Sequence, residues 1–223
     1  MSIAKNIEGI EYKINKACRQ WKLNPEHVNL IAVSKKQPIE RIKEALEDGH
    51  RLFGENIVQD AIQTWEKSGL KDRYKGVRLH LIGALQTNKV KDAVSLFDVI
   101  ETVDRPKLVD ALVKEIKQQN KQIECFVQVN TGEEPQKSGV VPSQLASLLE
   151  YAEDQGLKIS GLMCIPPVNE PSGLHFAFLK KLAQIHKIEN LSMGMSDDFE
   201  KSVPLGATHI RVGTSIFGER TST

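Results

Sequence analysis

The chain has 223 residues, of which 40% are hydrophobic and 26% are charged, as in an ordinary globular protein. Its formal net charge is +1 and its basic residues are interspersed with acidic ones, which argues against a nucleic-acid-binding protein. No apolar run reaches the ~18 residues that cross a bilayer and no signal peptide is recognisable, so we expect a cytoplasmic protein with one domain, residues 1–223.

The three cysteines, Cys18, Cys125 and Cys164, are far apart in the sequence. They form no CxxC pair and no Cys/His cluster, so the sequence predicts neither a disulfide framework nor a zinc site. We expect all three to be small core residues, because unpaired cysteine is among the most buried residue types. A catalytic thiol is the alternative.

Apolar residues at helical spacing alternate along the chain with short apolar runs. An apolar stripe from Ile3 to Trp21, at spacings of three and four, predicts a long first helix. Eight short runs then predict strands at residues 29–33, 51–56, 79–83, 97–101, 125–130, 159–163, 191–193 and 209–212. The segments between them predict helices around residues 39–46, 58–65, 89–96, 108–116, 142–152, 176–185 and 198–203. This order predicts an α/β (β/α)8 TIM barrel with an extra N-terminal helix, and a doubly wound open sheet is the competing architecture.

A pair of lysines follows the first predicted strand. The run from Asn29 to Val33 is apolar enough to be buried on both faces, and Lys35 and Lys36 come just after it. Burial drives a lysine toward its neutral amine, which is a nucleophile that forms Schiff bases with aldehydes. The alternative is that both lysines are solvated surface residues.

The last two predicted strands end in similar motifs. Gly194-Met195-Ser196 follows the seventh strand, and Gly213-Thr214-Ser215 follows the eighth. In a (β/α)8 barrel, function lies at the carboxyl ends of the strands, and phosphate commonly binds after strands seven and eight. Glycine lets the backbone approach a ligand, and hydroxyl and N–H groups bind phosphate. The two motifs therefore predict a phosphate site.

Arg211 lies between Ile210 and Val212 in the last apolar strand. An unpaired buried charge is very costly, so this guanidinium needs partners. It is either in a structural ion pair with a carboxylate of a neighbouring strand or a donor aimed at a ligand in the barrel mouth. A Schiff-base lysine, a phosphate site and a fixed arginine together indicate pyridoxal 5′-phosphate (PLP).

Motifs along nearly the whole chain resemble, in the same order, those of the YggS/PROSC-type pyridoxal phosphate homeostasis proteins. They lie at residues 32–35, 53–59, 80–83, 85–89, 137–139, 161–163, 191–198 and 211–218. Two positions depart from the family pattern. Ala84 stands where the family often has proline, and Lys36 adjoins Lys35 where a single lysine is common.

The resemblance implies a single barrel similar to the N-terminal domain of alanine racemase, with PLP held by Lys35 as a Schiff base. It implies that the PLP phosphate is held by Ser196, Gly213 and Thr214. It further implies that Arg211 faces the pyridine nitrogen.

Three more residues on matching motifs, Asn56, His80 and Met163, are expected near the cofactor. The family is associated with cofactor supply and amino-acid balance rather than with established catalysis. The resemblance therefore implies a monomeric carrier or regulator of PLP with little or no turnover. Its expected partners are PLP and either amino acids or PLP-dependent apoenzymes.

Two other functions remain open. One is a small PLP-dependent enzyme such as an amino-acid racemase, and the other is a barrel enzyme that binds a different phosphorylated metabolite. Racemisation needs a base on one face of the substrate and an acid on the other. Tyr12, Tyr74 and Tyr151 are predicted to lie away from the strand ends, which leaves Cys164 as the remaining candidate acid.

Overall fold

A computed structural model describes residues 2–218 and contains a closed barrel of eight parallel strands paired in sequence order. The strands are β1 (Asn29–Val33), β2 (Leu52–Glu55), β3 (Arg78–Leu81), β4 (Val99–Val103), β5 (Glu124–Gln128), β6 (Ile159–Met163), β7 (Asn190–Met195) and β8 (His209–Val212). β8 pairs with β1 through the register Asn29 to His209, which closes the barrel. The predicted (β/α)8 architecture is confirmed.

Helices separate the strands and cover the outside of the barrel. They are α1 (Ile3–Gln20), α2 (Ile39–Glu47), α3 (Val58–Ala61), α4 (Leu70–Arg73), α5 (Val90–Leu96), α6 (Pro106–Gln119), α7 (Leu145–Asp154), α8 (Ser172–Ile185), α9 (Phe199–Ser202) and α10 (Thr214–Phe217). A π-helical segment, Ile62–Lys67, continues α3. The predicted strand at 97–101 lies two residues too early, because the Phe97 amide donates to the Ala93 carbonyl and belongs to the end of α5.

The extra N-terminal helix is confirmed and packs against α2 and α10. The Ser2 side chain accepts a hydrogen bond from the Lys5 amide and caps α1. One stripe of α1 is buried, as the spacing predicts: Ile3, Ile7, Ile10, Ile14 and Cys18. At the far end of the chain, the Ile216 carbonyl accepts a 2.8 Å hydrogen bond from Asn6 Nδ2. This hydrogen bond joins α1, at the start of the chain, to α10.

Side chains on the strands alternate between the helix-covered core and the barrel interior. Leu79 and Leu81 of β3 belong to the apolar core under the helices. His80, between them, faces the interior and is 1% exposed. The interior therefore holds buried polar groups, which include Glu101, Ser192 and Arg211. A barrel interior is normally filled with branched apolar side chains, so this polar layer is unusual.

All three cysteines are buried and unpaired, as expected of core residues. Burial raises the pKa of both the Cys125 and the Cys164 thiols to about 12. Such thiols stay protonated at neutral pH and are poor nucleophiles. Within residues 2–218, no helix is long and apolar enough to cross a membrane. The same part of the chain contains no group of His, Cys, Asp or Glu residues that could hold a metal ion.

Candidate functional site

A cavity of about 230 Å³ opens at the carboxyl ends of the strands, where β8 and β1 meet. Most of the residues predicted to bind a cofactor line it: Lys35, Asn56, Ser196, Arg211, Gly213 and Thr214. They follow β1, β2 and β7 or belong to β8 and its end. The fold therefore brings together residues that are up to 179 positions apart in the chain, from Lys35 to Thr214.

Lys35 lies in a turn rather than at the last residue of a strand. β1 ends at Val33, and a hydrogen bond from the Gln37 amide to the Ser34 carbonyl closes the turn. Lys35 is half-buried and lines the cavity, whereas Lys36 is exposed and takes a φ of 56°. Of the two adjacent lysines, only Lys35 therefore belongs to the wall that also contains Arg211.

A buried carboxylate lies beside Lys35. Glu55 is 2% exposed and accepts hydrogen bonds at Oε1 from Ser34 Oγ, at 2.6 Å, and from Trp65 Nε1, at 3.1 Å. Burial raises the pKa of Glu55, while these two hydrogen bonds and the charge of Lys35 oppose the shift. Glu55 and Lys35 also line a neighbouring cleft on the other side of Lys35. Glu55 was not among the predicted site residues, although a carboxylate within an apolar strand is a detectable signal.

The guanidinium of Arg211 is paired as well as facing the cavity. Its Nη1 atom donates to Ser192 Oγ at 2.5 Å, and its Nη2 atom donates to the Cys164 carbonyl at 2.8 Å. The carboxylate nearest to it is Glu101 Oε2, at 3.9 Å from Nη1. Glu101 belongs to β4, across the barrel from β8, and not to a neighbouring strand. The expected ion pair with a neighbouring strand is therefore wrong, because the nearby carboxylate lies across the barrel, and the Arg211 side chain also lines the cavity.

Glu101 is fully buried and lies between two donors. His80 Nδ1 is 2.7 Å from Oε1, and Ser192 Oγ donates to Oε2 at 2.6 Å. Burial alone would raise the pKa of Glu101, but the hydrogen bond from His80 and the charges of His80 and Arg211 outweigh it and hold the pKa below its usual value. The carboxylate is therefore ionised at neutral pH. Neither Glu101 nor Ser192 was among the predicted site residues.

Two predicted site residues, His80 and Met163, do not line the cavity. Both are at most 1% exposed and lie one layer deeper in the barrel interior. Inward-facing positions recur every second residue along a strand, so the residues that reach the cavity from β3 and β6 are Ile82 and Ile165. These two isoleucines give the cavity an apolar wall.

The turn after β7 presents Ser196 to the cavity. Asp198 Oδ1 accepts a 2.7 Å hydrogen bond from the Met195 amide, and the Asp198 amide donates back to the Met195 carbonyl. Gly194, with a φ of 94°, leaves no room for a Cβ, which would lie 2.2 Å from Ser202 Oγ. This glycine is needed for packing against α9.

Next to this turn, Gly213 and Thr214 follow the neighbouring strand β8. A Cβ on Gly213 would lie 3.3 Å from the Val33 carbonyl, so a small residue lets the chain pass close to β1. The first amide groups of α10, which begins at Thr214, have no partner within that helix. Hydroxyl and amide donors thus flank one end of the cavity.

The residues of the cavity fit PLP. Lys35 could supply an amine for the aldehyde, Arg211 a fixed donor for the ring, and Ser196 and Thr214 hydroxyl groups for the phosphate. Among the described residues, the buried Asn56 Oδ1 atom has no hydrogen-bond partner, so it is an acceptor that a ligand could satisfy. Val33 and Ile82 provide apolar surface for the ring.

Comparisons with known proteins agree with this geometry. The family model described as alanine racemase, N-terminal domain, matches residues 9–221. A pyridoxal phosphate homeostasis protein of Haemophilus influenzae is 35% identical, over 99% of this chain and 97% of that protein. The protein of the same name from Escherichia coli K12 is 34% identical, over 98% of this chain and 97% of its own length.

Solved structures of other proteins share this fold. PipY of Synechococcus elongatus PCC7942, in a structure with PLP bound, superposes with a TM-score of 0.81 at 34% identity and covers 97% of this chain and 100% of its own. Alanine racemase of Clostridium difficile 630 has a TM-score of 0.69 at 13% identity, over 56% of its length, and shares the fold alone. The chain therefore belongs to the pyridoxal phosphate homeostasis proteins, within the family of the alanine racemase N-terminal domain.

Proposed function

We propose that this protein binds PLP as a Schiff base on Lys35 and acts as an intracellular carrier or regulator of PLP. The observation that carries the proposal is the single cavity that gathers Lys35, Arg211, Ser196 and Thr214. The names of the full-length relatives and the PLP-bound structure of PipY support it. Binding through a covalent but exchangeable link suits a protein that takes up and releases its ligand.

Each proposed role follows from the chemistry of the group. Ser196 and Thr214 donate hydroxyl hydrogen bonds to the phosphate, and the amides after β8, from Gly213 onward, add N–H donors. Arg211 faces the pyridine nitrogen. Because arginine only donates hydrogen bonds, it favours the unprotonated ring nitrogen. The cofactor, when bound, supplies an aldehyde and an electron-withdrawing ring, and this arginine weakens the second property.

We also propose that turnover is slight. A racemase needs an acid and a base on opposite faces of its substrate. Lys35 could serve one face. No tyrosine, cysteine or histidine is among the described residues that line the cavity, and the Cys164 thiol, with its pKa raised to about 12, lies in the outer core. Among the described residues, Asp197 is the one acid of the cavity lining that the racemase alternative could use as its second group.

The remaining parts of the proposal concern the whole molecule. We propose a monomer with a single domain, residues 1–223, of which Met1 and residues 219–223 lie outside the described part of the chain. We place it in the cytoplasm, where unpaired buried cysteines are usual. Its partners would be amino acids or PLP-dependent apoenzymes that exchange an amine with Lys35.

One experiment tests the central claim. The purified protein, incubated with PLP and freed of excess ligand, is examined by visible spectroscopy before and after borohydride reduction, and the modified peptide is mapped. We expect absorbance of a lysine Schiff base and a modification at Lys35 alone. A colourless protein, or a modification at Lys36 or Lys89, would contradict the proposal. Binding of another phosphorylated metabolite in place of PLP would favour the remaining alternative.

A further inference from the structure

A hydrogen-bonded network of four polar side chains crosses the barrel interior under the cavity. It runs from His80 on β3 through Glu101 on β4 and Ser192 on β7 to Arg211 on β8. None of the four is more than 3% exposed. The successive heavy-atom distances are 2.7 Å, 2.6 Å and 2.5 Å. Buried polar groups are costly unless they are hydrogen-bonded, and in this network each one has a hydrogen-bond partner on another strand.

The donors and acceptors in this network can be assigned in only one way. An ionised carboxylate only accepts, so both neighbours of Glu101 must donate to it. His80 therefore carries a proton on Nδ1, and Ser192 gives its single hydroxyl hydrogen to Oε2. With its hydrogen committed to Glu101, the Ser192 oxygen presents only lone pairs to Arg211. The carboxylate thus orients the hydroxyl that receives the guanidinium.

Arg211 is held from two sides by this arrangement. Ser192 Oγ accepts from Nη1, and the Cys164 carbonyl of the loop after β6 accepts from Nη2. Glu101 adds an attractive charge 3.9 Å from Nη1 without touching the cavity. A planar guanidinium fixed at two nitrogens loses little further freedom when a ligand arrives.

We propose that Glu101 is a positioning residue that, through the Ser192 hydroxyl, holds Arg211 in the geometry needed to bind PLP. The inference rests on the proposed function and deepens it. Glu101 does not contact the ligand in this proposal. It acts on Arg211 by orienting the hydroxyl hydrogen of Ser192.

The change Glu101→Gln is informative because an amide cannot satisfy both neighbours. If its NH₂ group faces Ser192, the serine hydrogen must turn toward Arg211, which also donates. If the NH₂ group faces His80, Nδ1 must lose its proton, and the imidazole can then carry one only on Nε2, a buried atom with no partner among the described residues. Ser192→Ala breaks the same link without changing any charge. Glu150→Gln, on the exposed face of α7, is a matched control.

The experiment measures the dissociation constant for PLP by absorbance titration of the apoprotein, together with the melting temperature of each variant. We expect Glu101→Gln and Ser192→Ala each to weaken PLP binding about tenfold, as for a lost hydrogen bond to a charged group, and Glu150→Gln to leave it unchanged. In an Arg211→Met background, Glu101→Gln should weaken binding less than twofold further. A residue that merely supported the fold would lower the melting temperature without this dependence on Arg211.

Two results would overturn the inference. One is wild-type affinity in folded Glu101→Gln and Ser192→Ala proteins, and the other is equal weakening by Glu101→Gln with and without Arg211. The Arg211→Met protein could leave the Glu101 charge without its partner and fail to fold. In that case the double variant Ser192→Ala with Glu101→Gln decides, because losses of PLP affinity that act through one hydrogen-bonded network should not add. Failure of the wild type to bind PLP would instead remove the proposed function, and the inference would fall with it.

Discussion

The Ser34 hydroxyl donates a 2.6 Å hydrogen bond to Glu55 Oε1, joining the residue before Lys35 to the end of β2. Trp65 donates to the same oxygen from the helical segment outside. A carboxylate whose pKa is raised by burial binds its proton more tightly in the folded than in the unfolded chain. Its contribution to folding stability therefore falls as the pH rises above 4.5, the ordinary pKa of a glutamate side chain.

We accordingly predict that Glu55→Gln stabilises the apoprotein relative to the wild type as the pH is raised. The amide oxygen can accept from both Ser34 and Trp65, and it carries no charge to desolvate. The difference in melting temperature between variant and wild type should grow from pH 4.5 toward neutrality. Glu66→Gln, at an exposed carboxylate of the π-helical segment, is the control. Parallel pH profiles for Glu55→Gln and wild type would contradict the prediction.

The second prediction concerns the two adjacent lysines. Lys35→Ala should abolish the Schiff-base absorbance after incubation with PLP, because only Lys35 shares the cavity wall with Arg211. The fold should persist, which circular dichroism and thermal unfolding can check. Lys36→Ala, at the exposed neighbour, should retain the absorbance. Loss of absorbance in the Lys36 variant alone would reverse the assignment.

The third prediction concerns the phosphate. A hydrogen bond to a charged group contributes about 1.5–3 kcal/mol, so Ser196→Ala should weaken PLP binding by about tenfold to a hundredfold. Pyridoxal without the phosphate should bind the wild type far more weakly than PLP. Ser147→Ala, on the exposed face of α7, should bind PLP like the wild type. Equal affinity for pyridoxal and PLP would place the phosphate site elsewhere.

The fourth prediction concerns catalysis. Incubation of the PLP-loaded protein with single enantiomers of several amino acids should produce no optical inversion over many turnovers. Slow exchange of the α-proton with solvent is compatible with this, because a bound imine acidifies that proton. Chiral chromatography and proton NMR in D₂O measure the two quantities. Inversion at the ~1–10³ s⁻¹ usual for enzymes would establish the racemase instead.

The fifth prediction concerns acid stability. Burial lowers the pKa of His209 from 6.5 to about 4, with His80 and Arg78 adding to the shift and Glu101 and Glu124 opposing it. The unfolded chain binds this proton first, so stability is lost as the pH falls from 6.5 toward 4. The loss should be on the order of 3 kcal/mol, at about 1.4 kcal/mol per pKa unit.

Replacement of this histidine tests the fifth prediction. In urea titrations between pH 7 and pH 4, His209→Gln should show a flatter dependence of the unfolding free energy on pH than the wild type. His27→Gln, at an exposed histidine, should keep the wild-type slope. An unchanged slope in His209→Gln would assign the acid sensitivity to other groups.

The architecture could be predicted from the sequence because its signals are local. Apolar runs and helical stripes depend on neighbouring residues, and strand-end motifs acquire meaning once a barrel is assumed. The depth of a side chain is not local. His80 was expected near the cofactor, yet Ile82, two residues later, lines the cavity. A shift of one inward-facing position decides between contact with a ligand and burial beneath it.

The polar network in the barrel interior shows a second limit of prediction from the sequence. Arg211 stood out as a charge in an apolar strand, and Glu101 carries the same signal in the predicted fourth strand. A partner for Arg211 was expected on a neighbouring strand, whereas Glu101 lies across the barrel. Only closure of the sheet brings β4 opposite β8, and no sequence separation predicts that distance. Ser192, a small polar residue in an apolar run, gives still less signal.

The seam between β1 and β8 has a consequence for how the molecule folds. These strands lie near opposite ends of the sequence, so their pairing carries a large loop-closure entropy, and we expect it to form late in folding. Lys35 follows one strand of the seam, and Gly213 and Thr214 follow the other. A ligand bound by residues from both sides would stabilise the pairing of β1 with β8. Partly synthesised chains that lack β8 would have no such site, so ligand capture would report completion of the barrel.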